Sequence, residues 1–336
     1  MMCESCSHVK VLSHEQAKVY RRQGWQAADL HVHTLCSPDV ISARSLHPEA
    51  LYHRAKEMGM DFVTFTDHDT MKAYDLLSGE REGLVTGVEM RIKDLDLVGH
   101  TIHINVYDLC REQFLELKAI SKQGDLSSFI NYLVKNNLPY IYNHPLWFEY
   151  KEKPNLAAIP NLVKLFPVLE YNMYRVHRKN EITMALAERY RKGLAASTDS
   201  HSGELGMVYT LSHGSSFREF FDNICKGSSY IVVKDLTKQD IMQEMNRWIE
   251  LIFSLDILEE PKEYSLGIGY LDKIVNVLSG ETFKSFPWIG KAAYRASHEI
   301  SNSGLPASLY LRSEGTLLPE IEKQLASCFV EPDNAK

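Results

Sequence analysis

The chain has 336 residues, 44% hydrophobic and 24% charged, which suits one large α/β domain, alone or with an appendage, and it contains no apolar run of about 18 residues to cross a membrane. A formal charge of −7 argues against a general electrostatic grip on nucleic acid or an anionic lipid surface. The first ten residues lack an apolar core and the six cysteines show no disulfide-framework spacing, so the expectation is a reduced, cytoplasmic protein without a secretory signal. Cys3 and Cys6 form C-E-S-C, half a zinc knuckle without a second half nearby, and read as part of a frayed terminus. Residues 8–25 are a mixed polar lead-in ending at Trp25.

The first strand runs into D-L-H-V-H-T-L-C-S-P-D, residues 29–39. Residues two apart on a strand face the same way, so His31 and His33 aim two imidazoles at one point, which is half of a metal site. An H-x-H pair alone is a weak signal. Leu46, Ala50, Leu51 and Ala55 follow helical spacing, with Gly59 as the stop. Alternation then sets in. Strands are expected at 61–66, leading into Asp67, His68 and Asp69, at 84–90 carrying Glu89, and at 101–107 carrying His103. A helical run over 112–135 breaks near Gly124. Further strands at 138–143 and 168–172 lead to His144 and carry Glu170 and Asn172. A helix over 179–191 precedes a strand at 194–198 that ends in Asp199 and His201.

About seven strand-like segments separated mostly by helical ones favour a parallel sheet with crossover helices. Catalytic groups in such barrels collect at the C-terminal strand ends. Nearly every segment here ends in a residue that can ligate a metal, and it is this repetition that turns a weak pair into a candidate cluster.

At this point the sequence resembles the polymerase and histidinol phosphatase (PHP) family. The motifs are H-V-H-T (31–34), T-D-H-D-T (66–70), His144 before Pro145, and S-T-D-S-H (197–201), with the glutamate of G-V-E-M and the histidine of H-I-N-V-Y in the family's order. The resemblance covers residues 25–235. It implies a distorted (β/α)7 barrel with two or three divalent ions. His31, His33, Glu89 and Asp199 would hold the first, Glu89 would bridge to a second held by His103 and His144, and Asp39, His68 and His201 would hold a third. The chain departs from the pattern at Ser37-Pro38-Asp39-Val40, where many relatives read S-D-G. Asp67 is expected to orient a ligand histidine, and Glu170 to do the same or to sit beside the site.

A mixed histidine and carboxylate set suits Mn, Fe or Zn better than an all-oxygen Mg or Ca cage. Coordination lowers the pKa of water from 15.7 to about 7, so a metal-bound hydroxide is the expected nucleophile, and no serine or cysteine is required. Cys36 reads as a small buried residue. Asp199, Glu89 and His201 are the expected catalytic groups. For the substrate, Arg175, His177 and Arg178 form a cationic cluster after the sixth strand, and Arg91 follows Glu89; an arginine fork suits a phosphate.

A closing strand is expected at 227–234. Helical spacing then recurs near 241–252, 271–278, 292–300 and 317–325, giving an appendage of roughly four helices, while 330–336 reads as frayed. The expected division is a lead-in over 1–24, the hydrolase barrel over 25–235 and the helical region over 236–336. The expected function is hydrolysis of a small phosphorylated molecule. An exonuclease, a non-catalytic regulatory metal module and an amidohydrolase-type reaction are the alternatives. The sequence does not fix an oligomeric state.

Overall fold

The computed structural model describes residues 8–149, 152–253 and 287–329. The cysteine pair at 3 and 6, the helix expected at 271–278 and the tail at 330–336 lie outside these. Among the described residues eleven strands occur: β1 Val11–Leu12, β2 Gln26–Asp29, β3 Phe62–Thr64, β4 Leu84–Val85, β5 Gly87–Asp94, β6 His100–Tyr107, β7 Tyr140–Tyr142, β8 Val168–Asn172, β9 Gly193–Ser197, β10 Tyr209–Ser212 and β11 Tyr230–Val232. The helices are α1 His14–Arg22, α2 Pro48–Glu57, α3 Lys72–Asp75, α4 Arg111–Ser121, α5 Leu126–Lys135, α6 Ile159–Leu165, α7 His177–Tyr190, α8 Phe217–Cys225, α9 Lys238–Phe253, α10 Pro287–Asn302, α11 Leu305–Glu314 and α12 Leu318–Phe329.

Local chemistry sets several boundaries. Ser13 and Gln16 cap α1 reciprocally, Asp125 caps α5 through the Ser128 amide, and Ser216 caps α8, each satisfying amides that lack an intrahelical acceptor. The break at Gly124, which sits at φ +71, divides the long helical run into α4 and α5.

One sheet has the order β1-β11-β10-β2-β3-β4 and the other β5-β6-β7-β8-β9. Isolated bridges pair Val32 with Ser200 and His68 with Glu89, linking both edges of the five-stranded sheet to the continuations of β2 and β3. The two sheets thereby curl into a distorted α/β barrel. Not every pairing is parallel: β5, β6 and β7 pair antiparallel, as do β10 and its neighbours β2 and β11. The connection between β5 and β6 is too short for a parallel crossover, which takes a dozen or more residues.

Alternation on β6 divides two cores. Ile102, Ile104 and Val106 pack in one cluster with α4 and α5 residues such as Phe114, Leu117 and Phe129. Tyr107 packs inside with Ala28, Leu30, Ile141, Val168 and Ala195. Tyr107 Oη and Asn105 Nδ2 both donate to the Leu30 carbonyl, at 2.7 and 3.2 Å, tying β6 to the segment that delivers His31. Gly193 is required for close approach: a Cβ there would lie 2.4 Å from the Ile224 carbonyl.

The C-terminal helices pack on the barrel's functional end. Ser202 Oγ, next to His201, donates to Glu244 of α9 at 2.8 Å. Tyr310 Oη of α11 donates to the Tyr174 carbonyl at 2.8 Å.

Candidate metal centre

His31 and His33 leave the end of β2, Asp67 and His68 the end of β3, His144 the end of β7, and Asp199 and His201 the end of β9, so their convergence follows from strand direction. Glu89 and His103 arrive differently, from within the antiparallel pair β5 and β6. His31, His33, Glu89, His103, His144 and Asp199 are all buried.

Four atoms define the centre. His31 Nε2 lies 3.1 Å from His33 Nε2 and 3.1 Å from Glu89 Oε2. His33 Nε2 lies 3.2 Å from the same carboxylate oxygen, and both ring nitrogens are 3.3 Å from Asp199 Oδ1. A cation bound at about 2.0–2.2 Å by each ligand spaces neighbouring ligands by about 2.9–3.5 Å, and all five distances fall in that interval. Around it, His68 Nδ1 is 3.1 Å from Glu89 Oε2, His103 Nδ1 is 3.0 Å from Glu89 Oε1 and His144 Nε2 is 3.5 Å from Glu89 Oε1. Asp39 Oδ2 is 3.1 Å from His68 Nε2 and 3.0 Å from His201 Nε2. Three groups with the spacing for an ion result: His31, His33 and Glu89; His33, Asp39, His68 and His201; and His68, Glu89 and His103. His33 and His68 each serve two groups. Asp39 reaches the centre across the proline because Ser37 Oγ donates to its Oδ1 at 2.7 Å.

The donor set fits divalent cations. His68 Nδ1 and His103 Nε2 are buried and make no well-formed hydrogen bond, meeting only carboxylate oxygens of Glu89 and Glu149 at 3.1 and 3.5 Å, and burying such atoms without a good hydrogen bond is costly. Electrostatics point the same way. Burial pushes the Glu89, Asp199 and Asp39 carboxyls up, yet the surrounding histidines outweigh it and hold all three well below the ordinary range. Burial pushes His201 and His103 down, but Asp39 and Asp199 raise the first to about 10, and Glu89 and Glu149 the second to about 9. The buried carboxylates therefore demand positive charge, which divalent ions supply when bound.

Supporting contacts fix which nitrogen of the His31 and His33 rings faces the centre. Glu170 Oε1 accepts from His31 Nδ1 at 2.7 Å and from Ser197 Oγ at 2.8 Å, while its Oε2 accepts the His144 amide at 2.8 Å. The bond to His31 commits Nδ1 to the proton and leaves Nε2 as a donor to metal. Ser37 Oγ does the same for His33 Nδ1 at 3.3 Å. Asp67 accepts from the Thr34 amide and hydroxyl at 2.6 and 2.8 Å, so its hydrogen bonds anchor the H-V-H-T segment. Its burial and the Asp39 carboxylate push its carboxyl up to about 7, against His33 and the Thr34 hydrogen bonds. His144 and Asp199 occupy left-handed backbone at φ 29 and 53, strain of the sort held at functional sites. The hydrogen bond that its amide donates to Glu170 holds the first, and Asn172 Nδ2, donating to Asp199 Oδ2 at 3.1 Å, holds the second.

The expected cationic cluster divides. Arg175 is buried, its guanidinium 5.3 Å over the Trp147 ring and its Nη2 3.8 Å from Asp199 Oδ2. His177 and Arg178 lie exposed on the first turn of α7, His177 against Asp235 and Glu181, Arg178 against Glu322 and Glu181. Arg91 is paired with Asp69. Trp147, whose ring meets His103 and His144 edge-on at 5.3 and 5.0 Å, and Glu149, whose Oε1 is 3.5 Å from His103 Nε2, were not among the expected residues. The only sequence signal for them was their nearness to His144.

A histidine and carboxylate cluster of this composition, at the mouth of an α/β barrel, defines the class of metal-dependent hydrolases. The chain belongs to the PHP domain family, which it matches over residues 29–253. Solved structures similar to it include PsfC from Pseudomonas syringae, 16% identical over 67% of this chain and 98% of that one with a TM-score of 0.49. A candidate metal-dependent phosphoesterase from Bifidobacterium adolescentis is 14% identical over 52% and 87% of the two chains, with a TM-score of 0.37. The lesion-specific endonuclease PfuEndoQ from Pyrococcus furiosus is 15% identical over 83% and 91%, with a TM-score of 0.42. No curated protein matches the chain.

Proposed function

We propose that this chain hydrolyses the phosphoester of a small phosphorylated molecule, with two or three Mn, Fe or Zn ions held by His31, His33, Asp39, His68, Glu89, His103, His144, Asp199 and His201. When bound, such ions acidify water and draw charge from phosphoryl oxygens. The observation that carries the reading is Arg175. Its Nε is buried with no hydrogen-bond partner, and the 3.8 Å from Nη2 to Asp199 is too long for a hydrogen bond. The Nε and Nη2 protons share one edge of the guanidinium, and that edge can grip two oxygens of a phosphoryl group. Trp147, stacked beneath, excludes water from this grip and strengthens it. Asp199, Glu89 and His201 bound the reacting space.

A cysteine nucleophile is disfavoured on chemical grounds. Burial and the Asp67 carboxylate push the Cys36 thiol up to about 11, so almost none is thiolate at neutral pH.

Turnover of phosphorylated metabolites, nucleotides and short oligonucleotides with Mn tests the proposal. Small phosphomonoesters should be hydrolysed, and Asp199→Asn or His31→Ala should abolish turnover with the fold intact. Preference for oligonucleotides, or undiminished turnover in both variants, would overturn it.

A further inference from the structure

We infer that Glu314, at the end of α11, is a positioning residue of the phosphate-binding site, so that the C-terminal helices complete the active site. The inference rests on the reading of Arg175 given above. Glu314 Oε1 accepts from Arg175 Nη1 at 3.1 Å and its Oε2 accepts from Lys179 Nζ at 3.1 Å. All three side chains are buried, although 135 and 139 residues separate Glu314 from its partners. Tyr310, one helical turn earlier and on the same face, stands 3.5 Å from Arg175 Nη1.

The division of labour on the guanidinium is the argument. Its Nη1 is held by the C-terminal helix, while Nη2, on the edge it shares with the unpartnered Nε, lies 3.8 Å from Asp199 Oδ2. A planar fork fixed on one side and stacked on Trp147 has lost the freedom that a long side chain otherwise gives up on binding. Charge agrees with this: two cations share the Glu314 carboxylate, which neutralises only part of their charge. With a neutral residue at 314, Nη1 would lose its charged acceptor and the guanidinium would no longer be held in the orientation that receives the phosphoryl group.

Inorganic phosphate, titrated calorimetrically into the metal-loaded protein, is the probe, and it reads binding without turnover. Arg175→Gln should weaken phosphate binding about tenfold or more, and Glu314→Gln by about tenfold. The double variant should bind no more than about twofold more weakly than Arg175→Gln alone, because both act through the same fork. Glu314→Asp should recover part of the affinity.

Unchanged or tighter binding in Glu314→Gln, with Arg175→Gln impaired, would overturn the inference and leave the role of Arg175 standing; so would fully multiplicative losses in the double variant. Unchanged binding in Arg175→Gln would overturn both. If Glu314→Gln does not fold, Glu314→Asp decides: a loss of about threefold or more supports the inference, and wild-type affinity overturns it.

Discussion

Divalent ions should raise the melting temperature of the protein after treatment with a chelator, and Glu89 should determine by how much. Glu89 is fully buried. One of its oxygens lies within 3.2 Å of His31, His33 and His68, and the other accepts from Asn143 Nδ2 at 2.8 Å and meets His103 at 3.0 Å. It is therefore common to two of the three ligand groups. An ion that binds only the folded chain stabilises it by about 2.7 kcal/mol at a hundred times its Kd. At about 2–4 °C per kcal/mol for a domain of this size, Tm should rise by about 5–11 °C.

Glu89→Gln keeps the shape but removes the charge. Even the loss of a partner behind a ligand weakens metal binding by about 10–100-fold, and the loss of a shared ligand costs at least the upper figure. A hundredfold weaker site at the same free ion leaves about 0.4 kcal/mol, or about 1–2 °C. Scanning calorimetry on both proteins, with and without Mn, Fe or Zn, measures the two shifts. A wild-type shift below about 1 °C with every ion, or an undiminished shift in Glu89→Gln, would refute the ligand assignment.

Glu170→Gln should weaken metal binding by about 10–100-fold, since His31 loses the acceptor that fixes its tautomer; equilibrium dialysis checks this, and wild-type affinity would count against it. Burial pushes the Cys225 thiol up to about 12. At pH 8 about one part in ten thousand is then thiolate, against roughly a tenth for a thiol near 9; the greater nucleophilicity of the more basic thiolate offsets part of this, so Cys225 should react with a disulfide reagent about tenfold to a hundredfold more slowly than an unfolded-chain thiol. Because the folded pKa is the higher one, raising the pH toward 12 should narrow the gap. Gly193→Ala should lower stability by about 1–3 kcal/mol, because its Cβ would meet the Ile224 carbonyl and α8 must shift from β9; chemical denaturation with an unchanged midpoint would contradict the contact.

What could be read from the sequence was what local geometry controls. His31 with His33 and Asp199 with His201 are two apart at strand ends, and short-range backbone geometry is enough to bring each pair to one side. The strand at 168–172 appears with the expected bounds, because a short V-L-E-Y-N segment following Pro167 is itself a local pattern. Strand direction is not local. Alternation is the same for a parallel and an antiparallel neighbour, so the β5 and β6 hairpin had no signal apart from the brevity of its turn.

The cationic run at 174–179 shows where sequence proximity misleads and why the C-terminal contact stayed hidden. Arg175 lies just before α7, whose cap is Val176, and Lys179 lies on the first turn of α7; both side chains turn inward and share Glu314. His177 and Arg178 point elsewhere and pair at the surface with Asp235, Glu181 and Glu322. Composition counted the four cations alike, although only the buried two meet a carboxylate delivered from α11. Nothing near Glu314 marks it, since L-Y-L-R-S-E is an ordinary helical stretch. Its significance lies in a partner more than 130 residues away, and such pairs are legible only once the barrel has brought its strand ends together beneath the C-terminal helices.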